Sequence, residues 1–490
     1  MAKKKKKISS EEKLSADDLG IVKKKTITKK KTSKKSSSKK TTTKKKTTKK
    51  TTKKKTTKKT KKKTTKKVIK KTDFIQSSCN VGLVGHVDHG KTTLVKALSG
   101  TWTEKYSDEI NRGITIKLGY AEAAIDQCPN CNLIIAESVA NNLRKSKKDQ
   151  KGMCPNCGTK LNFKRRISFV DAPGHEILMA TMLSGASLMD GALLLIAANE
   201  ECPQPQTREH LAALGIAKIE NIIIIQNKID AVGKERAIEH YNQIKDFVKG
   251  TIAENAPIIP TSAIFNSNID LISEKIEEII PSPDLDHDSE FLFNIARSFD
   301  VNKPGSEIEK INGGVIGGSI ITGTISVGEE IEIRPGFRSK EGKYSTIITT
   351  VESIYEGRNS LNSAKPGGLI AIGTKLDPSL TRSDQLIGNV AGIPGTLPDV
   401  QYSVEIEAHL LKEVLGAEEE IAVTPIIKNE LIMIVVGTSL SAGVVEKIGK
   451  KNTITLKLKR PICALDGSIV AISRRIKNRF RLIGYGYLIS

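Results

Sequence analysis

The feature that most constrains this chain is Gly85-x-x-x-x-Gly90-Lys91-Thr92, set directly behind the apolar run "CNVGLVG" (79–85) and opening the stretch "KTTLVKALSG" (91–100). An apolar strand, a glycine-bearing turn and a helix that begins on Lys-Thr make the local architecture of a phosphate-binding loop. Backbone N–H groups of the turn and of the helix N-terminus surround phosphate oxygens, the lysine reaches the β and γ oxygens, and the hydroxyl after it holds Mg²⁺. Lys91 and Thr92 fill those two roles, with Asp88, His89, Gly90 and Thr93 completing the cradle.

Three later stretches repeat the pattern of a buried strand closed by polar residues: "ISFVDAPG" (167–174), "GALLLIAANE" (191–200) and "NIIIIQNKID" (221–230). Helical stretches, "EILMATMLSGASLMD" and "TREHLAALGIAKI", lie between them. Fully apolar strands alternating with helices predict a parallel sheet covered on both faces. Asp171 ends one strand, placed to hold Mg²⁺, and Gly174 offers a backbone N–H to a γ-phosphate. In Asn227-Lys228-Ile229-Asp230, the Asp230 carboxylate can accept from both the ring N–H and the exocyclic amine of guanine, a donor pair that adenine lacks. Ser262 and Ala263, with Ile264 after them, close over the base. The order of these stretches specifies GTP. "NRGITI" (111–116) then supplies Thr115, whose hydroxyl and carbonyl suit a switch segment that orders on Mg²⁺ and the γ-phosphate and relaxes when that phosphate leaves.

"GHVDHGKTTL", "RGITI", "DAPGH" and "NKID" together resemble the translational GTPases of the elongation factor Tu group. "GITIKLGYA" (113–121), "HEILMATMLSGASLMDGALLLIAANE" (175–200) and "CPQPQTREHL" (202–211) resemble more specifically the gamma subunits of translation initiation factor 2, archaeal type. That resemblance implies a GTPase that delivers methionylated initiator tRNA to the small ribosomal subunit, flanked by alpha and beta subunits in a heterotrimer. It implies that His175 orients the attacking water and that Val87 and Ile114 form an apolar gate before it. It further implies that Asp88 and Gly113 serve a second magnesium and that Tyr120 lies where the methionylated acceptor end docks. A selenocysteine-specific elongation factor shares these motifs and is the near alternative.

"CPNC" (128–131) and "CPNC" (154–157) are two C-x-x-C knuckles. Four thiolates so paired close a tetrahedral Zn²⁺ site, although the spacing between the pairs is slightly longer than in most zinc ribbons. A full set of four protein ligands, Cys128, Cys131, Cys154 and Cys157, leaves no open position, so the expected zinc is structural. Gly158 permits a tight turn behind Cys157. Cys79, Cys202 and Cys463 lack partners at metal spacing and read as packing residues. This cysteine usage fits a reducing compartment, no apolar run approaches the length of a membrane span, and the chain reads as a soluble cytoplasmic protein without a membrane partner.

Composition divides the chain sharply. Residues 1–71 hold 33 lysines against 4 acidic residues, a net +29, whereas the whole chain carries +25, so the remaining 419 residues sum to −4. Such a tail cannot bury enough apolar surface to offset its chain entropy and is predicted to be disordered. It is either a solvated tail or a salt-sensitive, sequence-independent attachment to RNA. Lysine blocks of this kind are more typical of the beta subunit in the eukaryotic factor than of an archaeal gamma, which leaves the tail's role open. A scaffold that binds RNA through the tail, without regard to nucleotide, is the alternative from another class. Beyond the tail the expected architecture is an α/β P-loop GTPase domain over 72–283 with a zinc-binding insertion at about 126–160. Short glycine-punctuated strands after "PSPD" predict two small β-barrel domains, 284–396 and 397–490.

Overall fold

The computed structural model describes residues 74–489 apart from 104–116, 144–150, 175–178, 304, 306, 416–420, 451 and 478. The lysine-rich tail, Gly113, Ile114, Thr115 and His175 therefore lie outside the described residues.

The first layer is a seven-stranded sheet in the order β3-β2-β4-β1-β5-β6-β7. It comprises β1 (Asn80–Gly85), β2 (Gly119–Gln127), β3 (Ile134–Ala136), β4 (Asn162–Asp171), β5 (Gly191–Ala197), β6 (Ile222–Asn227) and β7 (Ile258–Pro260). Its helices are α1 (Lys91–Ser99), α2 (Glu137–Leu143), α3 (Met179–Ala186), α4 (Pro205–Ile216), α5 (Lys234–Val248) and α6 (Ile269–Ile279). β1, β5 and β6 are buried along their whole length, as strands covered on both faces must be. Their continuous Val, Ile and Leu runs are the reason. The apolar strands expected to lie parallel do so, and the sheet carries an antiparallel edge besides. β4, β1, β5, β6 and β7 run parallel, but β2 pairs antiparallel with both β4 and β3. An antiparallel return needs no crossover helix, which leaves the connection from β2 to β4 free to carry the cysteine knuckles.

The strand order reverses around β1, flanked by β4 and β5, so the loops leaving the carboxyl ends of these strands open a crevice there. The phosphate-loop residues, Asp171 and Asn227 all sit at that rim.

A second sheet follows: β8 (Leu292–Phe299), β9 (Val315–Thr322), β11 (Glu330–Arg338), β12 (Tyr344–Glu356), β13 (Asn359–Leu361), β15 (Leu369–Thr374) and β16 (Val390–Gly392), with β10 (Ile325–Ser326) and β14 (Ser363–Ala364) pairing apart. β11 also pairs with β12, which curls the sheet on itself. The short helix α7 (Pro378–Thr381) and a 3₁₀ turn (Arg382–Asp384) lie before β16. The last unit is a closed six-stranded barrel of β17 (Gln401–Leu410), β18 (Leu431–Val436), β19 (Ser439–Ile448), β20 (Thr453–Ile462), β21 (Ile469–Ile476) and β22 (Arg479–Ile489). Burial alternates along β17, where Val404, Ile406 and Ala408 point inward between exposed neighbours, the period of two that one-sided strands require.

The three units pack together. One apolar cluster joins Leu118, Met182 and Leu214 of the first to Val435, Ala471 and Leu482 of the last. Glu209 on α4 accepts from Arg481 on β22 at 3.0 Å. Among the described residues no helix is long and apolar enough to cross a membrane.

Candidate nucleotide site and zinc knuckles

The loop between β1 and α1 is held in place by its own lysine. Lys91 Nζ donates to the carbonyls of Gly85 (3.0 Å) and His86 (2.6 Å). Burial lowers Lys91 to about 8, against the opposing pull of Asp171 and Asp88, so the ammonium is poised for an anion that would replace those carbonyls. Gly90 adopts φ +90°, and a Cβ there would lie 2.4 Å from Asn227 Nδ2. Gly174 is as tightly constrained: a Cβ would meet Lys91 Nζ at 2.4 Å and Val87 N at 2.9 Å. The backbone at Gly174 thus approaches the lysine as a γ-phosphate partner would need to.

Asp171, fully buried at the end of β4, accepts from Thr92 Oγ1 at 2.7 Å and from Thr103 Oγ1 at 2.7 Å. A hydroxyl and a carboxylate from separate elements meet here, the donor set Mg²⁺ takes in phosphate-loop proteins. Asp88 is exposed in a left-handed conformation, and Val87 and Thr93 are half-buried beside it.

Asn227 works between loops: its Nδ2 donates to His89 O at 2.9 Å and its Oδ1 accepts from Ala263 N at 3.1 Å. Lys228 is left-handed, Asp230 is exposed and accepts from Ser262 Oγ, and Ile264 stands out into solvent. Ile229 N donates to Thr261 O. The residues read as guanine-binding therefore converge on one rim. His89 differs from the rest of its loop. Its ring is buried, with Nδ1 on Leu195 O (3.0 Å) and Nε2 3.2 Å from Glu200. Burial lowers it to about 3, while both ring nitrogens face oxygen acceptors, Leu195 O and the Glu200 carboxylate. Only the backbone of His89 remains for phosphate.

Sequence reasoning missed His210. It is buried on α4 and its Nδ1 accepts the Gly85 N–H at 2.8 Å, fixing the first peptide of the loop. A histidine in α4, where Gln206, Thr207 and Glu209 are buried along with the leucines, carries no signal of that partner, 125 positions away.

The two knuckles repeat one geometry. Cys128 N donates to Leu133 O and Asn132 N to Cys128 O; Cys154 N donates to Thr159 O and Gly158 N to Cys154 O. Asn132 (φ 57°) and Gly158 (φ 78°) occupy the same left-handed position in each. The four sulfurs lie within 4.8 Å of one another, with Cys128–Cys157 at 3.4 Å, Cys131–Cys154 at 3.5 Å and Cys131–Cys157 at 3.8 Å. Ideal tetrahedral ligation at ~2.3 Å places sulfurs about 3.8 Å apart, so the cluster fits zinc. Cys79, Cys202 and Cys463 stand apart from it, and burial raises their thiols to about 11, 12 and 12, as inert packing residues require.

Tyr120 and Glu122, on one face of β2, line a cavity of about 820 Å³ between this sheet and the second unit.

The family description "Elongation factor Tu GTP binding domain" matches residues 76–282, "Elongation factor Tu domain 2" matches 313–386, and "Initiation factor eIF2 gamma, C terminal" matches 402–488. Translation initiation factor 2 subunit gamma of Methanococcus aeolicus is 53% identical over 416 residues, covering 84% of this chain and 98% of that one. The subunit from Archaeoglobus fulgidus is 54% identical, covering 84% and 94%. This chain belongs to the translation initiation factor 2 gamma-subunit family. As a member it is a GTPase of translation initiation. A bacterial selenocysteine-specific elongation factor superposes with TM-score 0.62 at 21% identity, the match covering 84% of this chain and 58% of that one. SelB from Methanococcus maripaludis, in complex with a GTP analogue, gives 0.61 at 22%, covering 85% and 80%. At such identity the likeness is one of fold, and the initiation factor 2 gamma family takes precedence over the selenocysteine alternative.

Proposed function

We propose that this GTPase carries methionylated initiator tRNA to the small ribosomal subunit, gripping it while GTP is bound and releasing it after hydrolysis, as the gamma member of a cytoplasmic heterotrimer with alpha and beta subunits. The observation that supports this best is the cavity between the nucleotide-binding sheet and the second unit. Trp102, Tyr120 and Tyr355 offer aromatic faces there, and Arg358 offers a cation beside the Glu122 and Glu356 carboxylates, so that unpaired bases can stack and a phosphate can be met at an RNA end. Tyr120 lies five residues beyond Thr115, so the cavity wall is continuous in sequence with the switch segment.

In this reading Lys91 and the backbone from Asp88 to Thr93 bind the phosphates, with Gly174 on the γ-phosphate. Asn227, Lys228, Ile229, Asp230, Ser262, Ala263 and Ile264 shape the guanine pocket. Thr92, Asp171 and Thr115 would hold Mg²⁺, and Asp88 and Gly113 a second ion. Magnesium would neutralise charge developing on the β and γ oxygens. Zn²⁺ on Cys128, Cys131, Cys154 and Cys157 would brace the insertion. His175 would orient the attacking water behind Val87 and Ile114. Filter binding of Met-tRNA with a non-hydrolysable GTP analogue and with GDP tests the carrier: tighter binding with the analogue is expected, and equal affinity would end it. His175→Ala should keep GTP affinity while hydrolysis slows.

A further inference from the structure

The wall of the cavity of about 820 Å³ carries two carboxylates from distant parts of the chain. Glu122 stands on β2 two residues beyond Tyr120 and on the same face, so carboxylate and phenol ring leave the strand about 7 Å apart. Glu356 closes β12 and is buried. Both of its oxygens accept the Ser77 N–H, at 3.1 and 3.0 Å. Glu122 differs. Among the described residues its carboxylate has neither a hydrogen bond nor an ion pair, although the residue is half-buried. Gly357 fixes its place. This glycine (φ +55°) turns the chain from β12 towards β13, and a Cβ there would lie 1.9 Å from Glu122 Oε1. The carboxylate therefore rests against bare backbone.

A carboxylate in this setting is costly to leave alone. A half-buried anion gives up part of its hydration and needs a partner to replace it. Its neighbour adds to the cost, because Glu122 and Glu356 act on each other as like charges. Arg358 lines the same cavity, yet no ion pair joins it to either acid. The rest of this wall is aromatic and apolar, with Tyr120, Tyr355, Leu369 and Ile370. A cation on a short apolar body would meet ring faces and a carboxylate together there, the surroundings that hold an ammonium. A phosphate would be repelled at Glu122, which leaves the acyl group of an RNA end as the part suited to it.

We propose that Glu122 is the specificity-determining residue of this cavity: its carboxylate accepts the free α-ammonium of an aminoacyl ester carried on the RNA end. Uncharged RNA lacks that ammonium and an N-acylated ester has lost its charge, so both leave the carboxylate unpaired. A buried acceptor without its donor is penalised, and that penalty turns one hydrogen bond into discrimination. The inference rests on the carrier reading above and adds to it the group that tells aminoacylated RNA from other RNA.

The test uses the full chain with a non-hydrolysable GTP analogue and compares Met-tRNA, N-acetylmethionyl-tRNA and the deacylated tRNA. Wild type should bind Met-tRNA about tenfold or more tighter than the N-acetyl form, as a hydrogen bond between charged groups warrants. Glu122→Gln keeps the shape of the side chain and removes its charge. It should weaken Met-tRNA binding by about tenfold and spare the other two RNAs, so that the preference disappears. Glu122→Asp, which keeps the charge, should retain part of it. Gly357→Ala, whose Cβ displaces the carboxylate, should act as Glu122→Gln does. Melting curves and GDP affinity report folding of each variant. A folded Glu122→Gln that weakens all three RNAs equally, or that leaves the preference intact, would overturn the proposal. So would competition by spermidine that depends on Glu122 while the preference does not, since the carboxylate would then serve a free polyamine. A wild-type chain that binds Met-tRNA equally with the analogue and with GDP would remove the carrier reading and the proposal with it. Absence of the amine preference alone would sink the proposal and leave the carrier reading standing.

Discussion

Asp230 and His210 show how differently single residues declare themselves. Asp230 is exposed at the end of a motif with fixed spacing, and in the proposed pocket its carboxylate would accept from guanine's adjacent donors. Asp230→Asn removes a charged acceptor of the kind worth about 1.5–3 kcal/mol, so the preference for GTP over ATP in competition binding should fall by roughly 10- to 100-fold. Unchanged selectivity would show that another group reads the base. His210 has no motif of its own, yet it holds the Gly85 N–H. His210→Ala leaves that buried donor without its acceptor, at a cost of about 1–3 kcal/mol. A lower melting temperature together with weaker GDP binding is expected. Loss of stability with full nucleotide affinity would mean that His210 supports packing and not the loop.

Two segments beside the main sheet carry testable energetics of their own. The knuckle pair buries Cys128 and Cys154 against Ile135, Val139 and Leu161, so a zinc held by the four cysteines would reinforce apolar packing. Cys154→Ser should remove one zinc per chain by metal analysis and loosen the knuckles in hydrogen exchange. GDP affinity should change less than about threefold, since ligand loss acts locally on a site with no catalytic position. At the other edge, Glu356 on β12 accepts the Ser77 N–H at 3.0 Å and ties the segment before β1 to the second unit. Burial raises Glu356 to about 7, with the Ser77 hydrogen bonds pulling the other way and Glu122 adding to the rise. An acid whose folded pKa lies above its unfolded value binds its proton more tightly in the fold, so it opposes folding above pH 7. That penalty is relieved as pH falls towards the ordinary range near 4.5, by up to about 3 kcal/mol. The difference in stability between Glu356→Gln and wild type should therefore be largest at pH 8 and shrink by pH 5. A pH-independent difference would place the charge elsewhere.

At the scale of the whole molecule, the basic tail and the folded body separate by charge, +29 against −4. If the carrier reading holds, removal of residues 1–71 should leave the nucleotide dependence of Met-tRNA binding intact. It should also flatten the salt dependence of total RNA affinity, whose slope follows the number of phosphates that lysines neutralise. Nucleotide-independent binding that vanishes with the tail would favour the scaffold alternative. The three units of the body share surfaces. Leu118 and Met182 meet Val435 and Leu482, Glu209 meets Arg481, and Arg297 and Asp384 reach back to the segment entering β2.

The sequence alone determined everything that depends on short spacing: the phosphate loop, the NKID strand end, the paired cysteines, the apolar strands and the β-rich texture beyond residue 284. These are local, because strand burial, turn chemistry and metal ligation impose fixed periods on nearby residues. The antiparallel edge of the main sheet, the turning inward of His89, the support from His210 and the Asp384 grip on Lys117 came only with tertiary structure. Each joins residues separated by tens to hundreds of positions, and nothing in a local pattern records which distant carboxylate or imidazole a folded chain will bring within 3 Å.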